Sequence, residues 1–257
     1  MAAFYRRLTD SRYLSTEHTV GPWNAHSQHL GPPSALLVRE LETCEPRDDM
    51  ALSRVAFDVL GPVPVAELEV SAQVVRPGRS VELLTAELAH AGRAVLRAQA
   101  WRTSLSDTTS VAGDFSGMLP EPPACPRMTV PANWSSGYLD AVDWRSVDGD
   151  MTTPGDAIAW GKPLMPTVED EEATALQRLF TIADSASGVS SRLDVRKWLA
   201  INTDLTVHLH REPQGSWFAL EAETVIGPSG FGVASSVVHD LLGPVARTAQ
   251  SLFVRER

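Results

Sequence analysis

Asp184 follows Phe180 by one helical turn and Leu176 by two, in a stretch whose apolar residues recur at helical spacing. A carboxylate on the flank of such a stripe is partly desolvated on folding, which raises its pKa and makes it a stronger general base. His208 and His210 alternate with Val207, Leu209 and Arg211, so a strand there turns both rings to one face. Two histidines at that spacing can ligate a metal, but no third ligand accompanies them, and a solvated or interface face is the expectation. His29, just before Gly31-Pro32-Pro33, reads as a local cap, with a place at the mouth of a binding site as the alternative. Cys44 and Cys125 are the two cysteines; they have neither metal-ligand spacing nor the makings of a disulfide framework, so packing is their expected role.

Other chemistries are excluded by their missing motifs. The nearest approach to a nucleophile elbow, Gly227-Pro228-Ser229-Gly230-Phe231, falls between two strand-like runs instead of between a strand and a helix. Gly230-Phe231-Gly232 matches a dinucleotide fingerprint only in part and opens a strand. No Gly-x-x-x-x-Gly-Lys phosphate loop occurs.

The elements that must position these groups form two periodic blocks. In the first, Leu36, Leu37 and Leu41 lie at helical spacing between Ser34 and Cys44-Glu45-Pro46, which predicts a helix over Ala35 to Glu42. Four alternating runs follow, Ser53 to Leu60, Ala66 to Val75, Val81 to Ala89 and Ala94 to Arg102, separated by Gly-Pro, Pro-Gly and Ala-Gly turns. In the second, a helix is predicted from Glu171 to Ala186, with strands at Asp204 to Arg211, Trp217 to Val225, Gly232 to Asp240 and Val245 to Val254. Between the blocks, Gly113, Gly117, Pro120, Pro122, Pro123, Pro126 and Pro131 break any regular element. The expected units are residues 1–105, a proline-rich linker 106–133, and residues 134–257.

The blocks repeat each other. Gly92 precedes Gln99 by seven positions as Gly243 precedes Gln250, within the similar runs Ala94 to Gln99 and Val245 to Gln250. A helix followed by an antiparallel meander, twice in one chain, predicts an α+β pseudo-dimer in which each helix buries its stripe against a sheet.

Composition bounds the partners. At 43% hydrophobic and 21% charged, 257 residues can fill a core. A net charge of −10 argues against nonspecific nucleic-acid or anionic-membrane binding. Charged residues and prolines interrupt every apolar run before it reaches spanning length, and Met1 to Arg7 lacks a secretory signal's apolar stretch. A reducing cytoplasm is therefore the expected location.

Several motifs carry a resemblance over nearly the whole chain: His29-Leu30-Gly31-Pro32-Pro33, Val75-Arg76-Pro77-Gly78-Arg79-Ser80, Asp184, Asn202-Thr203-Asp204-Leu205-Thr206 leading to His210-Arg211, and Gln250. In this order and spacing they resemble the acyl-CoA thioesterase II-like family, the double hotdog thioesterases. The resemblance implies two helix-plus-antiparallel-sheet repeats and hydrolysis of an acyl-CoA to free acid and CoA, in lipid metabolism. It implies no metal or other cofactor, and it leaves self-association open. In that family an Asp, a Thr or Ser and a Gln hold the attacking water, which the resemblance carries onto Asp184, Asn202 and Gln250, with helix N-terminal amides facing the oxyanion. Asn202 departs from the family hydroxyl, so Thr203 is the fallback for its role. Strand parity groups Asn202 with Asp204, Thr206 and His208, and Thr203 with Leu205 and Val207. Leu205 and His208 also depart from common family residues. Gln99 is expected to be a structural echo of Gln250. Hotdog hydratases resemble one another in an Asp five residues before a His, and no histidine here has one. The alternatives are a non-catalytic acyl-CoA or acyl-chain binder and a thioesterase for a carrier-bound acyl group.

Overall fold

A computed structural model describes residues 2–113, 117–131, 134 and 137–257. Before the first long helix the chain forms β1 (Tyr5–Arg7), β2 (Arg12–Ser15) and a short ribbon of β3 (Val20–Gly21) and β4 (Asn24–Gln28). Then come α1 (Gly31–Thr43), β5 (Met50–Val59), β6 (Glu67–Arg76), β7 (Val81–His90) and β8 (Arg93–Ser104). The second half comprises α2 (Gly137–Asp140), β9 (Val142–Asp148), β10 (Ala157–Pro163), α3 (Ala175–Ala183), α4 (Ala186–Val189), β11 (Trp198–Asn202), β12 (Asp204–Leu209), β13 (Phe218–Ile226), β14 (Phe231–Asp240) and β15 (Gly243–Glu256).

Each half is a helix laid on an antiparallel meander, and the two meanders join edge to edge. The sheet runs β1-β2-β6-β7-β8-β5-β12-β15-β14-β13-β10-β9, with β11 added on β15. At the seam, Phe57 of β5 faces Leu205 of β12, and Val55 faces Val207. All four are buried. This is the double hotdog α+β architecture. The strands ahead of each helix, β1–β4 and β9–β10, and the separate β11 lie outside the expected helix-plus-four-strand pattern, because they are short or alternate weakly.

The two long helices pack against each other and against this sheet. Ala35, Leu36, Leu37, Val38 and Leu41 of α1 are fully buried, as are Leu179, Phe180 and Ile182 of α3. A helix covered on nearly every side has lost the polar face of a surface helix. Phe180 crosses the seam to meet the Phe57 ring edge-on, with centroids 5.7 Å apart. At one end of the pair, Glu42 accepts hydrogen bonds from Thr174 Oγ1 at 2.9 Å and Gln177 Nε2 at 2.8 Å. Thr174 also accepts from the Gln177 backbone N–H, the usual work of an N-cap. At the other end, Gly31 opens α1 against the last turn of α3, where a Cβ would lie 2.2 Å from the Thr181 carbonyl oxygen.

The helix expected over Glu171 to Ala186 is shorter. It starts after Thr174, stops at Asp184 and resumes as the single turn of α4. The proline-rich stretch falls partly outside the described residues, at 114–116 and 132–133. Its described part packs onto the second half: Cys125 and Met128 are buried, and Trp160 Nε1 donates to the Pro120 carbonyl at 2.9 Å.

Candidate functional site

The break between α3 and α4 sets Asp184 at the helix end, 6% exposed, facing the start of α1. Two carboxamides converge on one oxygen of this carboxylate: Asn202 Nδ2 and Gln250 Nε2 each donate to Oδ1 at 2.8 Å. Gln250 Nε2 donates also to the Asp184 carbonyl at 3.1 Å, and the Leu30 backbone N–H reaches the carboxylate from the start of α1. Burial dominates the electrostatics and raises the Asp184 pKa to about 7, against the lowering effect of these donors. Fully buried Gln250 leaves its Oε1 without a partner beside the same carboxylate. Buried carboxamide oxygens are nearly always satisfied, which sets this acceptor apart.

The second carboxylate oxygen, Oδ2, lies 3.3 Å from His29 Nδ1. The β3–β4 ribbon delivers His29, whose backbone N–H donates to the Thr19 carbonyl at 2.8 Å. Its ring lies flat on Tyr138, with centroids 3.7 Å apart and planes 8° apart. Tyr138 is itself fixed, its hydroxyl donating to the Thr181 carbonyl and sharing a hydrogen bond with Ser185 Oγ, both at 2.8 Å. Burial lowers the His29 pKa to about 3, so the ring is neutral near pH 7. His29 was legible only as a cap or entrance residue, and Tyr138 gave no sequence signal at all.

The register around Asn202 differs from regular alternation. Five residues from Asn202 to Thr206 run beside four from Leu252 to Ala249, so an extra residue bulges from this strand. The bulge cancels the expected parity and puts Asn202 on the same inner face as Leu205 and Val207. Thr203 is turned outward and exposed, its Oγ1 3.4 Å from the Ser251 carbonyl. Ala200 and Trp198 share the face of Asn202 on β11, as Leu252 shares that of Gln250 on β15. Trp198, Ala200 and Leu252 line a cavity of about 30 Å³ together with Trp23 and Ser187.

Gln99 is not the positional echo of Gln250. It pairs with Ala56 of β5, whereas Ala249 takes the corresponding place opposite Thr206 of β12. Gly92 is the second residue of its turn and Gly243 the first of its strand, which offsets the two runs by one. Gln99 therefore faces solvent, and buried Ala100 stands where Gln250 would. His208 is exposed on the outer face between Arg54 and Arg247, and His210 Nε2 lies 3.0 Å from the Pro244 carbonyl. Among the described residues no group of three His, Cys, Asp or Glu side chains could hold a metal. No helix among them is long and apolar enough to cross a membrane.

The start of α1 offers no open oxyanion site. Leu30 N–H is taken by Asp184, Gly31 N–H by His29 Nδ1 at 3.1 Å, and Ser34 N–H by the Leu30 carbonyl. Pro32 and Pro33 have no N–H to give.

Two family models match the chain in tandem: an acyl-CoA thioesterase N-terminal domain over residues 19–103 and an acyl-CoA thioesterase C-terminal domain over residues 122–254. The chain belongs to the acyl-CoA thioesterase family. Solved structures share the fold of this thioesterase-family chain over nearly its whole length. A hot dog fold protein of unknown function from Alicyclobacillus acidocaldarius superposes with a TM-score of 0.76 at 16% identity, covering 97% of this chain and 95% of its own. An acyl-CoA thioesterase II from Mycobacterium marinum gives 0.70 at 14% identity, covering 98% and 95%. No curated protein matches the chain. Both structural likenesses establish the double hotdog fold, and within it buried Asp184 and Gln250 and half-buried Asn202 and His29 form one polar cluster.

Proposed function

We propose that the chain hydrolyses acyl-CoA thioesters to a free acid and CoA at Asp184. The observation that carries this reading is the uneven use of the carboxylate: both carboxamides donate to Oδ1 and neither to Oδ2, while the buried Gln250 Oε1 has no partner among the described residues. A water between those two acceptors donates one proton to Gln250 and the other toward Asp184, leaving an oxygen lone pair for attack. As the water oxygen bonds to the thioester carbon, Asp184 Oδ2 takes its proton. When the C–S bond breaks, the electron pair leaves on sulfur, which takes the proton back from Asp184 to give the thiol.

Asn202 supplies what a hydroxyl could not. A carboxamide nitrogen has two N–H groups. One of them holds Asp184 Oδ1, and the other has no partner among the described residues. In this reading that second N–H faces the developing oxyanion, the role that the proline-blocked start of α1 does not fill. A soluble, reducing compartment suits this assignment, which calls on no cofactor. The test is thiol release across acyl-CoAs of graded length, with Asp184→Asn as the control. Activity on any of them that disappears in Asp184→Asn supports the reading; equal activity in both proteins overturns it.

A further inference from the structure

His29 carries an inference about where the abstracted proton rests. Its Nδ1 accepts the Gly31 backbone N–H at 3.1 Å, so that nitrogen presents a lone pair and the ring proton sits on Nε2. The same nitrogen lies 3.3 Å from Asp184 Oδ2. Against an ionised carboxylate this contact sets lone pair against lone pair. A proton on Oδ2 turns it into a hydrogen bond. Oδ1 is the poorer home for that proton, because two amide N–H groups already point at it.

We infer that His29 is a positioning residue for hydrolysis at Asp184: its Nδ1 acts as an acceptor that draws the proton taken from water onto Oδ2 and makes the carboxylate a stronger base. The inference rests on the thioesterase reading for its purpose, though not for its geometry. The groups facing Asp184 are accounted for element by element: Leu30 N–H and His29 ahead of α1, Asn202 from β11 and Gln250 from β15, with Tyr138 of α2 behind the imidazole. None is a cation, and Tyr138 is held neutral by burial. The low His29 pKa agrees with an acceptor ring, since a protonated imidazolium could not receive the Gly31 N–H.

The sign of one measurement decides the matter. In His29→Phe the ring still stacks on Tyr138 and still excludes water, but the acceptor is gone. The ¹³Cγ titration of Asp184, followed by NMR without substrate, should then shift downward by about one pH unit, a ten-fold loss of proton affinity. The acid limb of the rate profile should move with it. An unchanged or raised midpoint overturns the inference, because a donating Nδ1–H would give the opposite sign. In the wild-type protein, ¹⁵N shifts should show Nδ1 bare and Nε2 protonated, a check that needs no variant to fold; a protonated Nδ1 overturns the inference equally. Neither reading depends on turnover, so a failure of the thioesterase assignment would show separately, as unchanged thiol release in Asp184→Asn.

Discussion

Gly31 and Thr181 approach so closely that any side chain on the first would overlap the carbonyl oxygen of the second, at 2.2 Å. This contact brings the start of α1 against the end of α3 and lets Leu30 and His29 reach Asp184. Gly31→Ala should force the helices apart at the site. We expect a loss of roughly 2 kcal/mol, the scale of overpacking a buried contact. Thermal melting measures that loss, and turnover should fall more steeply than melting temperature. A variant with wild-type turnover would mean the site does not need this approach.

Asp184 gives a pH signature with a definite sign. Its folded pKa, about 7, is above the ordinary carboxylate value of 3.8. The folded state therefore holds the proton more tightly than the unfolded chain does. The stability linked to this group is fully present below about pH 4 and is lost as pH rises toward 7. Turnover should run the other way, rising through about pH 7 as the base ionises. Melting curves of wild type and Asp184→Asn across that window, taken as a difference, isolate the group. Asp184→Asn should also reduce turnover by about 10²-fold while substrate binding is kept.

Asn202 and Thr203 separate cleanly. Asn202→Ala should reduce turnover strongly, and Asn202→Thr should restore part of it by returning a hydroxyl donor. Thr203→Val should stay within about two-fold of wild type, since its hydroxyl faces the outer backbone. A larger loss in Thr203→Val than in Asn202→Ala would move the role to Thr203.

Gln250 should matter where Gln99 does not. Removing Gln250 strips one donor from Oδ1 and deletes the unpartnered Oε1. Gln99→Ala alters an exposed side chain on the outer face. Steady-state kinetics on the two alanine variants, with melting as the stability control, should show a large loss for Gln250 only. Equal losses would point to a second working site in the first half.

Much of the fold was legible because each meander alternates over long runs and each helix carries a dense apolar stripe. Asp184 was visible for the same reason, as a carboxylate on the flank of such a stripe. What escaped depends on single-residue offsets. The bulge that turns Asn202 inward and the turn that makes Ala100 the counterpart of Gln250 each move a strand by one position, which reverses every face beyond it. Such offsets leave no mark in hydrophobic periodicity. His29 and Tyr138 were hidden for a different reason: their meaning lies in a ring stack between segments far apart in the chain. The two prolines at the start of α1 suit the first turn of a helix, but they also remove amides expected to face an oxyanion.

The β5–β12 pairing gives the molecule one hydrogen-bonded spine through both repeats. Separating the repeats would strip β5 and β12 of their partners and expose Val55, Phe57, Leu205 and Val207 along two raw edges. A protease cut in the connecting stretch should therefore leave a nicked particle that migrates as one body. A gene fragment encoding either repeat alone should yield chains that stick to one another through those edges. Fusion thus makes the partnership permanent, and a base change in one repeat can never be rescued by exchange for a fresh copy of its mate.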